Sequence, residues 1–230
     1  MKKNVIIALT FFMALSQIHA QESKSLVTVT GEGKVKVVPD EVSVSVSVVS
    51  KGVKATDVKK ANDSKIDAVL KYLKKMGVAA ADFQTKWVSL NDQYDYEKKK
   101  HNYVANQSIQ ILLRDLSKYD EIMEGLVDAG INKIEQVEFQ SSKIELYKSE
   151  VRKLAVQNAK VKAQDYAGAL GQKIGVAYTI TENSADNFVV PRYAMMDMKM
   201  MEEGPQSNET LAPGEIEITA NVSVSFFLFL

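Results

Sequence analysis

Five of the chain's nine methionines fall within seven residues: Met195, Met196, Met198, Met200 and Met201, in the stretch YAMMDMKMMEEG. Thioether sulfur is a soft donor, so sulfurs two and three residues apart would suit Cu(I) or Ag(I) over harder ions. The same side chain is a flexible apolar filler at adaptable protein contacts, and its reversible oxidation makes it an oxidant sink. The segment holds no histidine or cysteine to strengthen a metal site. Three uses stay open on these residues: a contact surface, sacrificial oxidation, or a soft-metal site.

Elsewhere, groups that could carry chemistry are sparse. Beyond residue 20 there is one histidine, His101, in the lysine-rich KKKHN and far in sequence from an ordered carboxylate pair. A Ser-His-Asp relay needs its histidine held between two buried partners, which a solvated turn does not supply. Gly31-Glu32-Gly33 has the look of a phosphate loop, but such loops work through the helix N-terminus that follows them. A strand pattern follows here, so a local backbone adjustment or a bulge is expected. Asp92 and Asp95, like Glu202 and Glu203, sit in polar surroundings with no neighbour to drive their pKa values apart, which argues against acid/base hydrolysis. No catalytic or cofactor-binding residue is assigned, and a non-enzymatic protein is expected.

Composition narrows the classes further. There is no cysteine, which excludes disulfides, thiolate nucleophiles and cysteine zinc sites. The 29 basic and 29 acidic residues cancel, so binding to nucleic acid through a basic excess is not expected. Residues 1–20 have the grammar of a cleavable signal peptide: Lys2-Lys3, an apolar run from Val5 to Leu15, then a polar stretch ending at Ala20. That run is shorter than the roughly 20 residues that span a bilayer, and the remaining chain shows no transmembrane segment. Residues 21–230 are enough for a sizeable core, as one large domain or two small intertwined ones.

The elements that must position these groups are clearly patterned. Val42 to Val48 alternates valine with serine, a strand with one dry and one wet face, and Pro39-Asp40 separates it from a preceding strand, Leu26 to Val38. Ile216, Ile218, Ala220, Val222, Val224 and Phe226 repeat the same period at the other end. Thr56 to Met76 is an amphipathic helix stopped by Gly77, its lysines a solvated face. Phe83–Tyr96 and Tyr103–Leu113 form a hairpin around the polar EKKKHN. Leu116 to Ala129, ended by Gly130, is a second helix, and Ile131 to Phe139 a short strand. Lys143 to Leu170 is the longest helix, with Ile144, Tyr147, Val151, Leu154 and Val161 apolar, Ala155, Ala159, Ala163 and Ala167 on one stripe, and Gly171 as cap. Ile174 to Thr181 is a strand. About 30 residues without periodicity follow, a loop of about 184–212 that exceeds the usual ceiling of roughly 12 to 15 for a structureless connection.

The order of these motifs resembles the SIMPL domain family. The resemblance rests on VTVTGEGKVKVVPDEVSVSVSV, YVANQSIQILLRDLSKYDEIMEGLVDAGINKIEQVEFQ, VRKLAVQNAKVKAQDYAGALGQKIG and the closing PGEIEITANVSVSFFLFL. Gly31, Gly33, Pro39, Asp40, Ala155, Ala159, Ala163, Gly171 and Gly175 match the family's pattern, each with a backbone or packing reason to be there. It implies an α+β fold of long antiparallel strands forming a sheet packed with about three amphipathic helices. It also implies export to the periplasm or outer cell envelope, with at most a peripheral envelope association, self-association into a homo-oligomer, and a link to envelope integrity or oxidative stress. It carries over no catalytic residue. The very apolar end, Phe226 to Leu230, departs from the family's shorter one and is expected to be a strand end covered on both faces, which with long edge strands favours assembly. An outer-membrane barrel is excluded by the three helices.

Overall fold

The computed structural model describes residues 25–97, 99–183, 190–192 and 212–230. Their strands are β1 (Leu26–Val37), β2 (Glu41–Gly52), β3 (Phe83–Asp95), β4 (Lys100–Leu113), β5 (Lys133–Gln140), β6 (Lys173–Glu182), β7 (Val190–Arg192) and β8 (Glu215–Phe229). The helices are α1 (Ala55–Lys75), α2 (Tyr119–Ala129) and α3 (Ile144–Ala169). The expected α+β class holds, with one refinement: there are two sheets. One runs β3-β4-β2-β5, and the other runs β1-β8-β6 with β7 also on β8.

Two compact units divide the chain. One comprises the described residues of Met1–Glu32, Ala155–Asn183 and Asn221–Leu230, and the other those of Gly33–Leu154 and Ser184–Ala220.

In the larger unit, β2 is central, paired antiparallel with β4 and β5. Val42, Val44, Val46 and Val48 are completely buried in a core with Ile109 and Ile111 of β4, Ile66, Val69 and Leu73 of α1, and Ile122 and Leu126 of α2. Burying such a side chain is worth roughly 1.5–3 kcal/mol, against roughly 0.2–0.5 for a helix-surface ion pair. The valine face therefore holds α1 in place, and the exposed Lys59–Asp63 and Lys71–Asp67 pairs only decorate it. The serine face is not wet as the alternation suggests: Ser43 and Ser47 are buried. On a strand flanked on both sides, longer neighbours reach over the short hydroxyls. Gln110 Nε2 donates to Ser43 Oγ at 2.8 Å, and Ser47 Oγ donates to Glu135 Oε1 at 2.8 Å.

Two polar side chains complete this sheet. Asn62, buried on α1, donates from Nδ2 to the Val48 carbonyl at 2.8 Å. Asn132 imitates a paired strand residue: its Oδ1 accepts from Val49 N at 2.8 Å and its Nδ2 donates to Val49 O at 2.7 Å.

Among the described residues, the three α-helices each stop where the sequence places a glycine. Gly77, Gly130 and Gly171 have positive φ (79°, 123° and 71°). The amide after each returns to a carbonyl five residues back, Val78 to Leu73, Ile131 to Leu126 and Gln172 to Ala167. This satisfies carbonyls that a helix end would otherwise leave orphaned, in the left-handed geometry that glycine tolerates.

In the smaller unit the alanine stripe behaves as its spacing suggests. Ala155, Ala159, Ala163 and Ala167 are fully buried, whereas Leu154 and Val161, expected on the apolar side, are about 42–43% exposed. The reason is Gly31: a β-carbon there would stand 2.0 Å from the Ala155 carbonyl oxygen and 2.8 Å from Ala159 Cβ. Strand and helix touch backbone to backbone, so small side chains face the contact and large ones point away. Gly31 thus serves a close approach of the strand backbone to the helix backbone. Strand β8, whose residues up to Ala220 belong to the larger unit and from Asn221 to the smaller, buries Ile216, Ile218, Ala220, Val222, Val224 and Phe226 as its period requires. At its end the described residues leave Phe229 half exposed and Leu230 fully so.

Candidate functional site

Strand register decides which polar groups meet. In the β3/β4 hairpin Asp95 pairs with Lys100 and Tyr94 with His101, so His101 belongs to a strand and lies beside carboxylates. Its Nδ1 is 2.7 Å from Asp92 Oδ2, and its ring centroid is 5.0 Å from that of Tyr94, which in turn meets Tyr96 edge to face. The sequence pattern places His101 in a turn, far in sequence from an ordered carboxylate pair; it lies on a strand instead, and one carboxylate, Asp92, meets it. The pair remains open to water, with side chains 61% and 46% exposed, so solvent screens it. Its geometry fits a surface hydrogen bond that ties the two strands together at their distal end. The pairing of Tyr94 with His101 and of Asp92 with Tyr103 sets residues 92 and 101 on neighbouring diagonals of one face, a relation that a hairpin reading of the sequence already implies.

A second cluster was not foreseen. Arg114, just past β4, donates from Nε and Nη2 to the two carboxylate oxygens of Asp82 at 2.9 and 2.7 Å, and from Nη1 to Glu41 Oε1 at 2.7 Å. The two acids are about nine-tenths buried, and the guanidinium extends outward. Hydrogen bonding to Arg114 holds the Asp82 carboxyl below its ordinary range, and Asp82 above all pushes the guanidinium further up. Asp82 and Arg114 also line an open cleft of about 250 Å³ with Met76, Val78, Leu113 and Ile122. Because every nitrogen of the fork faces a carboxylate, the cluster works as a staple joining the turn before β3 to the sheet, more than as a free anion site. Glu41 and Arg114 are 73 residues apart, so no spacing motif could have announced them. The only local signal is the choice of arginine, one of three in the chain, at a strand end.

Two further carboxylates are held in structural roles. Asp40 accepts from Ser142 Oγ at 2.6 Å and Ser142 N at 2.7 Å, just ahead of α3, and these bonds, the hydroxyl first, lower its pKa. The Glu135 carboxyl is likewise lowered, chiefly by the Ser47 hydroxyl and then by Lys133. Among the described residues no group of three or more His, Cys, Asp or Glu side chains could hold a metal ion. Met195, Met196, Met198, Met200 and Met201, and the signal-peptide reading of residues 1–20, lie outside the described residues. Among the described residues no helix is long and apolar enough to cross a membrane.

A family described as SIMPL, protein of unknown function (DUF541), matches residues 27–226. The chain is 26% identical to the uncharacterized protein YggE of Escherichia coli strain K12, over 97% of this chain and 93% of that protein. It is 27% identical to the 26 kDa periplasmic immunogenic protein of Brucella melitensis, over 95% and 90% respectively. YggE of Edwardsiella ictaluri is 25% identical over 81% of this chain and 77% of that protein.

Proposed function

The chain belongs to the SIMPL family, and from that premise we propose that it is an exported, non-enzymatic protein of the cell envelope that assembles with copies of itself and supports envelope integrity or oxidative-stress tolerance. The name of the Brucella relative and the signal-peptide grammar of residues 1–20 support a periplasmic location. The pairing of the well-buried acids Glu41 and Asp82 with Arg114 supports a structural use for them in place of acid/base work.

The observation that carries self-assembly is strand β6. It closes its sheet as an edge among the described residues, and Val176, Tyr178 and Ile180 are exposed along it, by 73, 47 and 57%. Soluble proteins ordinarily blunt such an edge with lysine, proline or a bulge pointing outward. Here the charges sit at the two ends, Lys173 and Glu182, and Ile174 to Thr181 carries none, so the register shifts against β8 at Ile174/Ala177 and Ala177/Thr179 are the one blunting device along it. The exposed Phe229 and Leu230 lie at the end of β8, which pairs with β6. An uncharged apolar edge of this length seeks a strand, and a second copy supplies one at no added cost in specificity.

The test is light scattering on residues 21–230 at high concentration, beside the doubly substituted Val176→Lys, Ile180→Lys chain. The expected result is an assembly for the parent and a folded monomer for the variant. A parent that stays monomeric would sink the reading.

A further inference from the structure

The sheet β3-β4-β2-β5 packs its valine face on α1 and α2, and its opposite face carries an unusual row. Gln84, Gln110, Ser45 and Gln136 are paired Cα to Cα in succession across all four strands. Gln84 and Gln136 are exposed, and Gln110 and Ser45 half buried. One step along β3 stands Trp87, opposite Ser108, next to a register shift between Thr85 and Trp87. It is the chain's one tryptophan, and it is 57% exposed. Bulges re-aim side chains, and this one sets a large aromatic on a sheet face that is mostly polar, with Leu112 standing opposite Ser43 on it. Beside the row is an open cavity of about 200 Å³ whose walls include Ser43, Gln84, Gln110 and Gln140.

From this juxtaposition we propose that the amide face binds an uncharged oligosaccharide built of pyranose rings, its chain running along the glutamine row with one ring stacked on Trp87. Primary amides offer a donor and an acceptor side by side, which matches sugar hydroxyls that are both at once. The indole supplies the apolar platform that the axial C–H face of a pyranose needs, much as ligand sites combine an aromatic wall with a few placed polar groups. Four strands spaced about 4.8 Å apart give the row a span of roughly 14 Å, enough for about three rings. Charge selects among polymers. No cation stands among Gln84, Gln110, Ser45 and Gln136; Glu138, the next residue on that face of β5, accepts from Gln136 Nε2 at 3.4 Å, and in the adjacent row, which runs Trp87, Ser108, Ser47, Lys133, the lysine is paired with Glu135. The glutamine row therefore offers a polyphosphate or sulfated chain no cation, and the lysine in the Trp87 row is already neutralised.

Because Trp87 is unique, intrinsic fluorescence of the mature chain, as it assembles, reports on this face directly. Titration with cellotriose and with triacetylchitotriose is expected to give a saturable change with at least one of them. The Gln84→Ala, Gln136→Ala double variant, altered only at exposed side chains, should bind about ten-fold more weakly or worse while keeping the parent's thermal unfolding curve and assembly mass. Three results overturn the proposal: no saturable response to either neutral trisaccharide, a response unchanged in the double variant, or a response confined to a sulfated trisaccharide or an extended peptide. The assembly mass is measured separately, so failure here leaves the self-assembly reading standing, and the reverse.

Discussion

Gly31 and Ala155 meet so closely that any β-carbon on the first would stand 2.0 Å from the carbonyl oxygen of the second. Backbone cannot yield to backbone cheaply, so Gly31→Ala should lower stability by about 2 kcal/mol or more, read from the urea midpoint. Gly168, on α3 with Ala155, has open space where a β-carbon would stand, with nothing within 4 Å. Gly168→Ala should therefore stabilise by roughly 0.4–1 kcal/mol through the unfolded chain alone. Equal effects from the two substitutions would refute the close approach.

Asp40 makes stability depend on acid. Its folded pKa is depressed, foremost by the Ser142 hydroxyl, so its contribution is present above the ordinary carboxylate pKa of about 4 and is lost as pH falls through the lower folded value. Asp40→Asn should be less stable than the parent at pH 7, with the gap narrowing below pH of about 4. Denaturant melts at both pH values check this, and a gap independent of pH would count against it.

Removing Arg114 leaves Glu41 and Asp82 nearly buried without their cation. Without the Arg114 bonds that lower it, burial alone acts on the Asp82 carboxyl and its folded pKa should rise, which reverses the sign: an acid whose folded pKa is raised costs stability at high pH and recovers it on acidification. Arg114→Met should be destabilised at pH 7 and gain on moving to pH of about 5, where the parent changes little. Two unfolding series across that interval measure it.

Asn62 presents its amide nitrogen to the Val48 carbonyl at 2.8 Å inside the core. Asn62→Asp would set a carboxylate oxygen against that carbonyl, at a cost of several kcal/mol at neutral pH. Protonation turns the group back into a donor, so stability should climb as pH falls toward about 4, whereas Asn62→Ala should stay low throughout. Matching pH profiles for the two variants would exclude the donor role.

Much of the scaffold was legible in the chain, for reasons that can be traced to particular residues. The α1 boundary is set by Gly77, the α2 boundary by Gly130 and the α3 boundary by Gly171, because a helix end needs a local backbone geometry that only a few residue types adopt. The hairpin and the C-terminal strand were readable from period alone. The polar clusters were not. His101 looked isolated because its partner, Asp92, lies back along the other arm of the hairpin, and the serines of β2 looked wet because nothing in their own segment names Gln110 or Glu135 as cover.

The sequence by itself determined the type and approximate ends of the longer elements, and the alanine stripe that marks a close contact, but not β7, which lies inside the span read as an unpatterned loop. These follow from the twofold and 3.6-fold periods and from backbone preferences, which act over a few residues. Only the tertiary structure decided that the strands sort into two sheets, that Arg114 staples Glu41 and Asp82, and that Gln84, Gln110, Ser45 and Gln136 line up with Trp87 beside them. Those relationships depend on which strand pairs with which and in what register. A one-residue slip would carry every side chain to the opposite face, so they exist only once the whole sheet has closed.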